Sequence, residues 1–189
     1  MPNPNHAALD FLLTRRSRPA KTLGLPVPAP DEVCTILTAA ARTPDHGKLE
    51  PWRFLVLERA ALERLATAVP ARASELGVEP EKMQAQFAQA HLAVAVISSP
   101  KPSDKIPQAE QVLSAGAVCL ALLNAALASG WGANWLTGWA AHDRTFVAEH
   151  LGLAELETVA GFIHLGTESN APPERPRPDL DAITTWVSA

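Results

Sequence analysis

Arg15-Arg16-Ser17-Arg18 is the densest group of side chains in the sequence that could hold a charged ligand. Guanidiniums beside a hydroxyl suit a phosphate, which accepts several charge-assisted hydrogen bonds at once. The same residues stand where a helix would end, and cations there can instead offset the helix dipole and bond the last carbonyls. A second group, Arg42, Asp45, His46 and Lys48, lies in ARTPDHGKLEPW, just before the apolar run Phe54-Leu55-Val56-Leu57. Adjacent Asp45 and His46 suggest a general acid–base pair, yet neighbouring loop residues point apart and no nucleophile is marked beside them. His46 reads better as a polar contact to a ligand, and Asp45 and Lys48 as loop-shaping or surface residues. A third group is AALASGWGANWLTG, where Gly130, Gly132 and Gly138 bracket Trp131 and Trp135. Glycines admit a flat ligand close to the backbone and indoles offer stacking. The plainer alternative there is a glycine-capped helix followed by core tryptophans.

Other chemistries find no support. The chain has no Gly-x-Gly-x-x-Gly and no Gly-x-x-x-x-Gly-Lys-Ser/Thr, so any phosphate is held by side chains rather than by a glycine-rich loop. Gly-x-Ser-x-Gly is missing as well, and there is no tyrosine to act as a proton donor. The histidines at 6, 91, 142, 150 and 164 show no metal-ligand spacing. A formal net charge of −4 leaves no basic stripe for a nucleic-acid backbone. Cys34 and Cys119 lie far apart in apolar surroundings and read as reduced core residues of a cytosolic protein. MPNPNHAALD lacks the cationic start and unbroken apolar run of a signal peptide, so a cytoplasmic location is expected.

The elements that must position these groups follow from periodicity and punctuation. Helices are expected over His6–Arg16, from Asp31 to the Thr43-Pro44 stop, over Ala60–Ala68 and over Pro80–Gln89. A long small-residue helix is expected from about Gln108 to Ser129, and another from His142 to Leu151, ended by Gly152. Strands are expected at Arg53–Glu58, Ala93–Ser98, Ala133–Leu136 and Thr158–Leu165. Within the long helix, Val112–Ala128 is apolar on all sides and at the short limit for a bilayer span; a protein core or a dimer interface uses such a helix too, and no membrane is expected. With 47% hydrophobic residues in 189, the chain can build one substantial core, and a single domain over 1–189 is expected. The Pro-rich tail, about 168–189, has no regular element before Leu180 and can lie over a neighbouring subunit.

LLTRRSRP, ARTPDHGKLEPWRFLVLE, KIPQAEQVLSAGAVCLALLNAALASGWGANWLTG and VAGFIHLGT together resemble the nitroreductase family of flavoproteins, in particular its small bacterial members. The pieces span most of the chain in family order, and Arg-Arg-Ser combined with Pro-Asp-His-x-x-x-x-Pro-Trp is the specific part. The resemblance implies an α+β three-layer sandwich with a central, mostly antiparallel sheet flanked by helices, formed as an obligate homodimer. It also implies FMN as cofactor and NAD(P)H as co-substrate, with two flavin sites at the subunit interface.

On that pattern Arg15, Arg16 and Ser17 match residues that hold the flavin phosphate and the polar edge of the ring. Arg16 is the residue assigned electrostatic support of the ring, and no catalytic dyad is expected. Arg42 and His46 match positions that reach the same flavin from the partner chain, and Trp135, Leu136 and Thr137 match the segment lining it. Ala125, Ala126, Leu127, Ala128, Ser129 and Gly130 match a stretch associated with the nicotinamide nucleotide. Two departures stand out: Leu136 where relatives carry Arg, and Ala109 where they carry Trp. The activity implied is ping-pong hydride transfer from NAD(P)H to FMN and on to a nitroaromatic, quinone or similar acceptor. The alternatives are a non-catalytic flavin-binding or sensor protein, or a flavin-consuming or dehalogenating branch of the same fold.

Overall fold

The structure, a computed structural model, describes residues 3–188; positions 1, 2 and 189 of the expected domain lie outside them. Five strands build one sheet: β1 (Leu23–Gly24), β2 (Trp52–Glu58), β3 (Leu92–Ser98), β4 (Gly132–Leu136) and β5 (Thr158–Glu168). The order is β1-β5-β3-β2, with β4 also on β5, and every pairing is antiparallel. All seven residues of β3 are buried, which explains why LAVAVIS shows no polar alternation: both faces of this central strand are covered.

Two cores flank the sheet. On one face, Phe87 of α4 (Glu81–Ala88), Phe146 of α7 (Arg144–Leu151) and Phe162 of β5 pack with α3 (Arg59–Leu76) and α6 (Trp139–His142). The Phe87 and Phe162 rings meet edge to face with centroids 5.3 Å apart, a favoured aromatic geometry. On the other face, Val33 and Ile36 of α2 (Pro30–Ala40) and Val118, Leu122 and Ala126 of α5 (Gln108–Ala128) cover Val94, Val96 and Ile163. The expected three-layer α+β sandwich, helices on sheet on helices, is therefore the fold.

Several boundaries depart from expectation for identifiable reasons. α1 (His6–Thr14) ends at Arg15, whose backbone turns to φ −56°, ψ 142° and whose N–H donates to the Phe11 carbonyl at 2.8 Å, while the Arg15 and Arg16 side chains bond elsewhere than to the last carbonyls of the helix. α3 runs through Pro70, past the expected end at Ala68. An interior proline costs about 3 kcal/mol, but Leu62, Leu65 and Val69 are each fully buried and contribute about 1.5–3 kcal/mol apiece, so packing wins. The single helix expected over His142–Leu151 is two, broken at Asp143, whose carboxylate accepts the Phe146 N–H at 2.8 Å and caps α7. β5 continues past Leu165 to Glu168 because β1 pairs with Thr167 and Glu168. Cys119 is buried, as expected, and burial pushes its thiol up to about 12, whereas Cys34 is exposed on α2 rather than in the core. Among the described residues the tail beyond β5 forms only α8 (Leu180–Ile183), and Trp186 stands 92% exposed.

Beside the sheet, Arg53 donates from Nε and Nη2 to the two carboxylate oxygens of Glu157, each at 2.7 Å, tying β2 to the start of β5. Those bonds, led by the one to Arg53, hold the Glu157 carboxyl down at about 2. A folded-state value below the unfolded one means that this stabilisation is complete above the ordinary carboxylate range and is lost as pH falls towards 2. Glu157→Gln is expected to cost about 2 kcal/mol at neutral pH. It should also flatten the acid limb of the stability profile between 4.5 and 2, measured by urea unfolding at successive pH steps. Equal limbs in both proteins would show that the pair contributes nothing.

Candidate functional site

The arginine run is positioned by its backbone. Pro19 disfavours helix at the preceding residue, and the extended run lies along β4, where the Arg18 N–H donates to the Ala133 carbonyl at 2.8 Å. The Asn134 amide donates to the Arg18 carbonyl, so two adjacent β4 residues grip one residue of the run. The Arg18 side chain pairs with Glu168 of β5.

Held this way, Arg15 and Arg16 turn inward. Arg15 Nη2 donates to Ser17 Oγ at 3.0 Å, and Arg16 Nη2 to the Pro173 carbonyl at 3.0 Å. The Nε atoms of both are buried without a partner. Burial and then repulsion from Arg177, Arg16 and Arg18 push the Arg15 guanidinium below the ordinary arginine range. Two cavities open against these groups. One, of about 370 Å³, is walled by Arg15, Arg16 and Arg18 together with Leu127, Gly130 and Trp131. The other, of about 150 Å³, lies between Arg15, Arg16 and Ser17 and the tail residues Arg175 and Arg177. Glu168 pairs with Arg18 and Glu174 with Arg177 at 2.7 Å, leaving five arginines against two carboxylates. Unpartnered buried guanidinium nitrogens in a surplus of positive charge are what an anion would satisfy.

The glycine–tryptophan segment supplies the adjoining wall. α5 ends at Ala128, and Gly130 adopts φ +87°, which a side chain would strain, letting Trp131 N–H return to the Ala126 carbonyl at 3.0 Å. Of the stretch 125–130, Leu127 and Gly130 face the larger arginine cavity, Ala126 is fully buried in the core, and Ala125 packs against that core. Ala128 and Ser129 are exposed. Trp135 lays its indole over Gly161, where any Cβ would overlap it, and its Nε1 donates to the Ala160 carbonyl at 3.3 Å. Strand alternation sends Leu136 to the opposite face, Thr137 follows half-buried, and Gly138 turns the chain at φ +120°.

Arg42 and His46 stand apart from this group within one chain. Both are exposed, and neither lines the arginine cavities. Their loop is nonetheless fixed. Asp45 Oδ1 accepts the Leu49 N–H at 2.6 Å, Ser114 Oγ of α5 donates to the Pro44 carbonyl at 2.9 Å, and Trp52 Nε1 donates to Ser114 Oγ at 3.2 Å. His46 Nδ1 lies 2.7 Å from Glu110 Oε2 at the start of α5. Lys48 and Glu50 take positive φ, 56° and 48°, a conformation seldom adopted outside glycine and kept only where surrounding contacts impose it.

Sequence reasoning missed one feature. Leu136 and Gly138 face a cavity of about 610 Å³ whose far wall is α4, with Met83 and Gln86, and whose floor includes His164 of β5. His164 is 2% exposed, and burial pushes its imidazole down to about 4, so it is neutral. A histidine inside the apolar run GFIHLG was the available signal, since a buried imidazole there needs a partner.

Comparison with known proteins identifies the family and the fold. The family model for the Nitroreductase family matches residues 14–167, from the arginine run to the end of β5. The protein named Putative NAD(P)H nitroreductase YdjA of Escherichia coli K12 is 34% identical over 164 residues, covering 85% of this chain and 87% of its own. A Haemophilus influenzae protein named Putative NAD(P)H nitroreductase is 36% identical over 165 residues, covering 85% and 88%. Among solved structures, a nitroreductase-like family protein from Bacillus cereus superposes with a TM-score of 0.80 over all of both chains at 20% identity. A Desulfovibrio desulfuricans nitroreductase homologue in complex with FMN gives 0.75 at 20% identity over 100% of this chain and 99% of that one. From the arginine run through the five-stranded sheet to the β4 turn, the chain belongs to the nitroreductase family of oxidoreductases.

Proposed function

We propose that this oxidoreductase is a homodimeric, cytoplasmic FMN enzyme that takes reducing equivalents from NAD(P)H and passes them to a nitroaromatic, quinone or similar acceptor in a ping-pong cycle. The observation that carries the reading is the pair of buried, unpartnered Nε atoms of Arg15 and Arg16 beside cavities with a surplus of arginine. The FMN complex of the Desulfovibrio structure and the NAD(P)H nitroreductase names of the relatives support it. FMN, when bound, supplies the two-electron chemistry that no side chain here can perform.

The residues divide the remaining work. Arg15 and Arg16 hold the phosphate, and Ser17 orients Arg15 through its 3.0 Å hydrogen bond. Arg16, anchored at the Pro173 carbonyl, adds positive potential towards the ring. Trp135, Leu136 and Thr137 line the flavin and exclude water, while Leu127, Ala128, Ser129 and Gly130 border the path of the nicotinamide nucleotide, backed by Ala125 and by Ala126, which is buried in the core. Arg42 and His46 act on the flavin of the other subunit, which accords with their exposure in a loop pinned to α5. Dimerisation covers the apolar face of α5, where Val112, Leu113 and Leu120 are exposed and Leu113 is 73% so. The single domain ends in a tail whose exposed Leu180, Ile183, Trp186 and Val187 wrap the partner.

A non-catalytic flavin protein is the second reading, favoured by the apolar Leu136 in the cavity wall. The two separate on one measurement. Purified protein is expected to be yellow and to bleach on anaerobic addition of NADH or NADPH; a yellow protein that bleaches with neither is a binder, not an enzyme.

Arg15→Ala and Arg16→Ala are each expected to weaken FMN binding by about 10- to 100-fold, the effect of losing charge-assisted hydrogen bonds worth about 1.5–3 kcal/mol. Full flavin occupancy in either variant at micromolar protein would refute the phosphate assignment. Leu113→Glu should shift the protein from dimer to monomer in light scattering and release the flavin with it. A dimer that survives the charge would place the interface elsewhere.

A further inference from the structure

The His46 side chain is 62% exposed, yet it is held: its Nδ1 lies 2.7 Å from Oε2 of Glu110, in the first turn of α5. A contact between two exposed side chains adds little to stability, so the fold by itself gives no reason for it. The backbone around it is nonetheless strained and tightly packed. Lys48 and Glu50 hold positive φ, and Gly47, at φ +75°, sits so close that any Cβ there would overlap Ile106 Cδ1, just ahead of α5. Glu110 and Ser114 stand one helical turn apart on the same side of α5. Ser114 holds the loop backbone through the Pro44 carbonyl, and Glu110 holds the imidazole. One rigid helix thus sets both the backbone and the ring, which is more than a solvated loop needs.

The chemistry of the contact fixes the protons of that ring. A carboxylate only accepts hydrogen bonds, so the shared proton sits on Nδ1. The α5 dipole favours negative charge in its first turn, which suits an acceptor at Glu110. In the neutral ring Nε2 then carries no proton. The bonds of the two nitrogens diverge, so Nε2 faces away from the carboxylate. Among the described residues it has no hydrogen-bond partner. Without Glu110 the ring would turn about its side-chain bonds, and its proton would be free to sit on either nitrogen.

We propose that Glu110 is a positioning residue for His46: it keeps the proton on Nδ1 and presents a bare Nε2, in one place, to a hydrogen-bond donor outside the chain. The proposal rests on the reading that His46 serves the flavin of the other subunit, and it narrows what His46 meets there. A phosphate dianion and a ring carbonyl only accept, so neither pairs with a bare Nε2. The partner is an N–H or O–H of the cofactor. This separates the work of His46 from that of Arg15 and Arg16, whose guanidiniums only donate.

The test is a double-mutant cycle with two readouts. Long-range proton–nitrogen NMR of wild type at neutral pH, with the His46 signals assigned by their loss in His46→Ala, is expected to show the proton on Nδ1 and none on Nε2. Glu110→Ala should spread it over both nitrogens. Fluorescence titration of the apoprotein with FMN should show binding weakened about tenfold in His46→Ala and about three- to tenfold in Glu110→Ala. Removing Glu110 from the His46→Ala protein should then change affinity less than about twofold, because Glu110 acts through the ring alone. Thermal unfolding and light scattering check the fold and the oligomeric state of each variant. A Glu110→Ala effect that persists without His46, unchanged binding by Glu110→Ala, or a proton on Nε2 in wild type would overturn the positioning role and leave His46 with the flavin. Unchanged binding by His46→Ala would overturn both that role and the assignment of His46 to the flavin.

Discussion

β5 runs antiparallel to β3 along one edge and to β4 and β1 along the other, and the candidate site hangs on that pairing. Its register with β4 sets Asn134 opposite His164, Trp135 opposite Ile163 and Leu136 opposite Phe162. Because side chains alternate faces, a slip of one residue would send Trp135 into the α3–α4 core and pull Leu136 out of its cavity. Three glycines keep the register exact. Gly132 and Gly166 face each other so closely that a Cβ on Gly132 would come 3.0 Å from the Gly166 carbonyl, and Gly161 leaves the space that the Trp135 indole fills. The packing of the site is thus a consequence of where side chains are missing as much as of where they are present.

Electrostatics separates the two ends of β4. The chain carries a net charge of −4, yet five arginines gather at one end, where burial and then repulsion push the Arg15 guanidinium below its ordinary range and the Nε atoms of Arg15 and Arg16 stay without partners. At the other end the polar groups are neutral, and the cations stay on the rim. One strand therefore joins a pole rich in positive charge to a cavity whose interior polar groups, Gln86, Trp139 and His164, are uncharged.

Much of this was legible in the sequence. The strands AVAVIS and GFIHLG, the all-apolar α5 and the glycine stops are strong local signals, and the three-layer arrangement follows once they are placed. The arginine run was visible as residue types, but its meaning was not, because whether it caps α1 or leaves it depends on its hydrogen bonds to Ala133 and Asn134, residues more than a hundred positions away. Pro70 misled for a related reason: local propensity argues for a stop, and the buried stripe from Leu62 to Ala73 overrides it. β1 is two residues long and exists only because β5 offers an edge, so no periodicity could reveal it. The α4 wall was invisible because Gln86 and Met83 carry no motif; they matter through what lies opposite them.

The grip of β4 on Arg18 makes the strand a ruler. With Arg18 bonded at Ala133 and Asn134 and the larger cavity opening at Leu136, the two poles are separated by the rise of a few extended residues, about 10 Å at roughly 3.3 Å each. Backbone hydrogen bonds, unlike arginine rotamers, do not stretch to accommodate a longer or shorter occupant. A ligand long enough to span both cavities would in this way be measured by the sheet itself, ahead of any side chain that touches it.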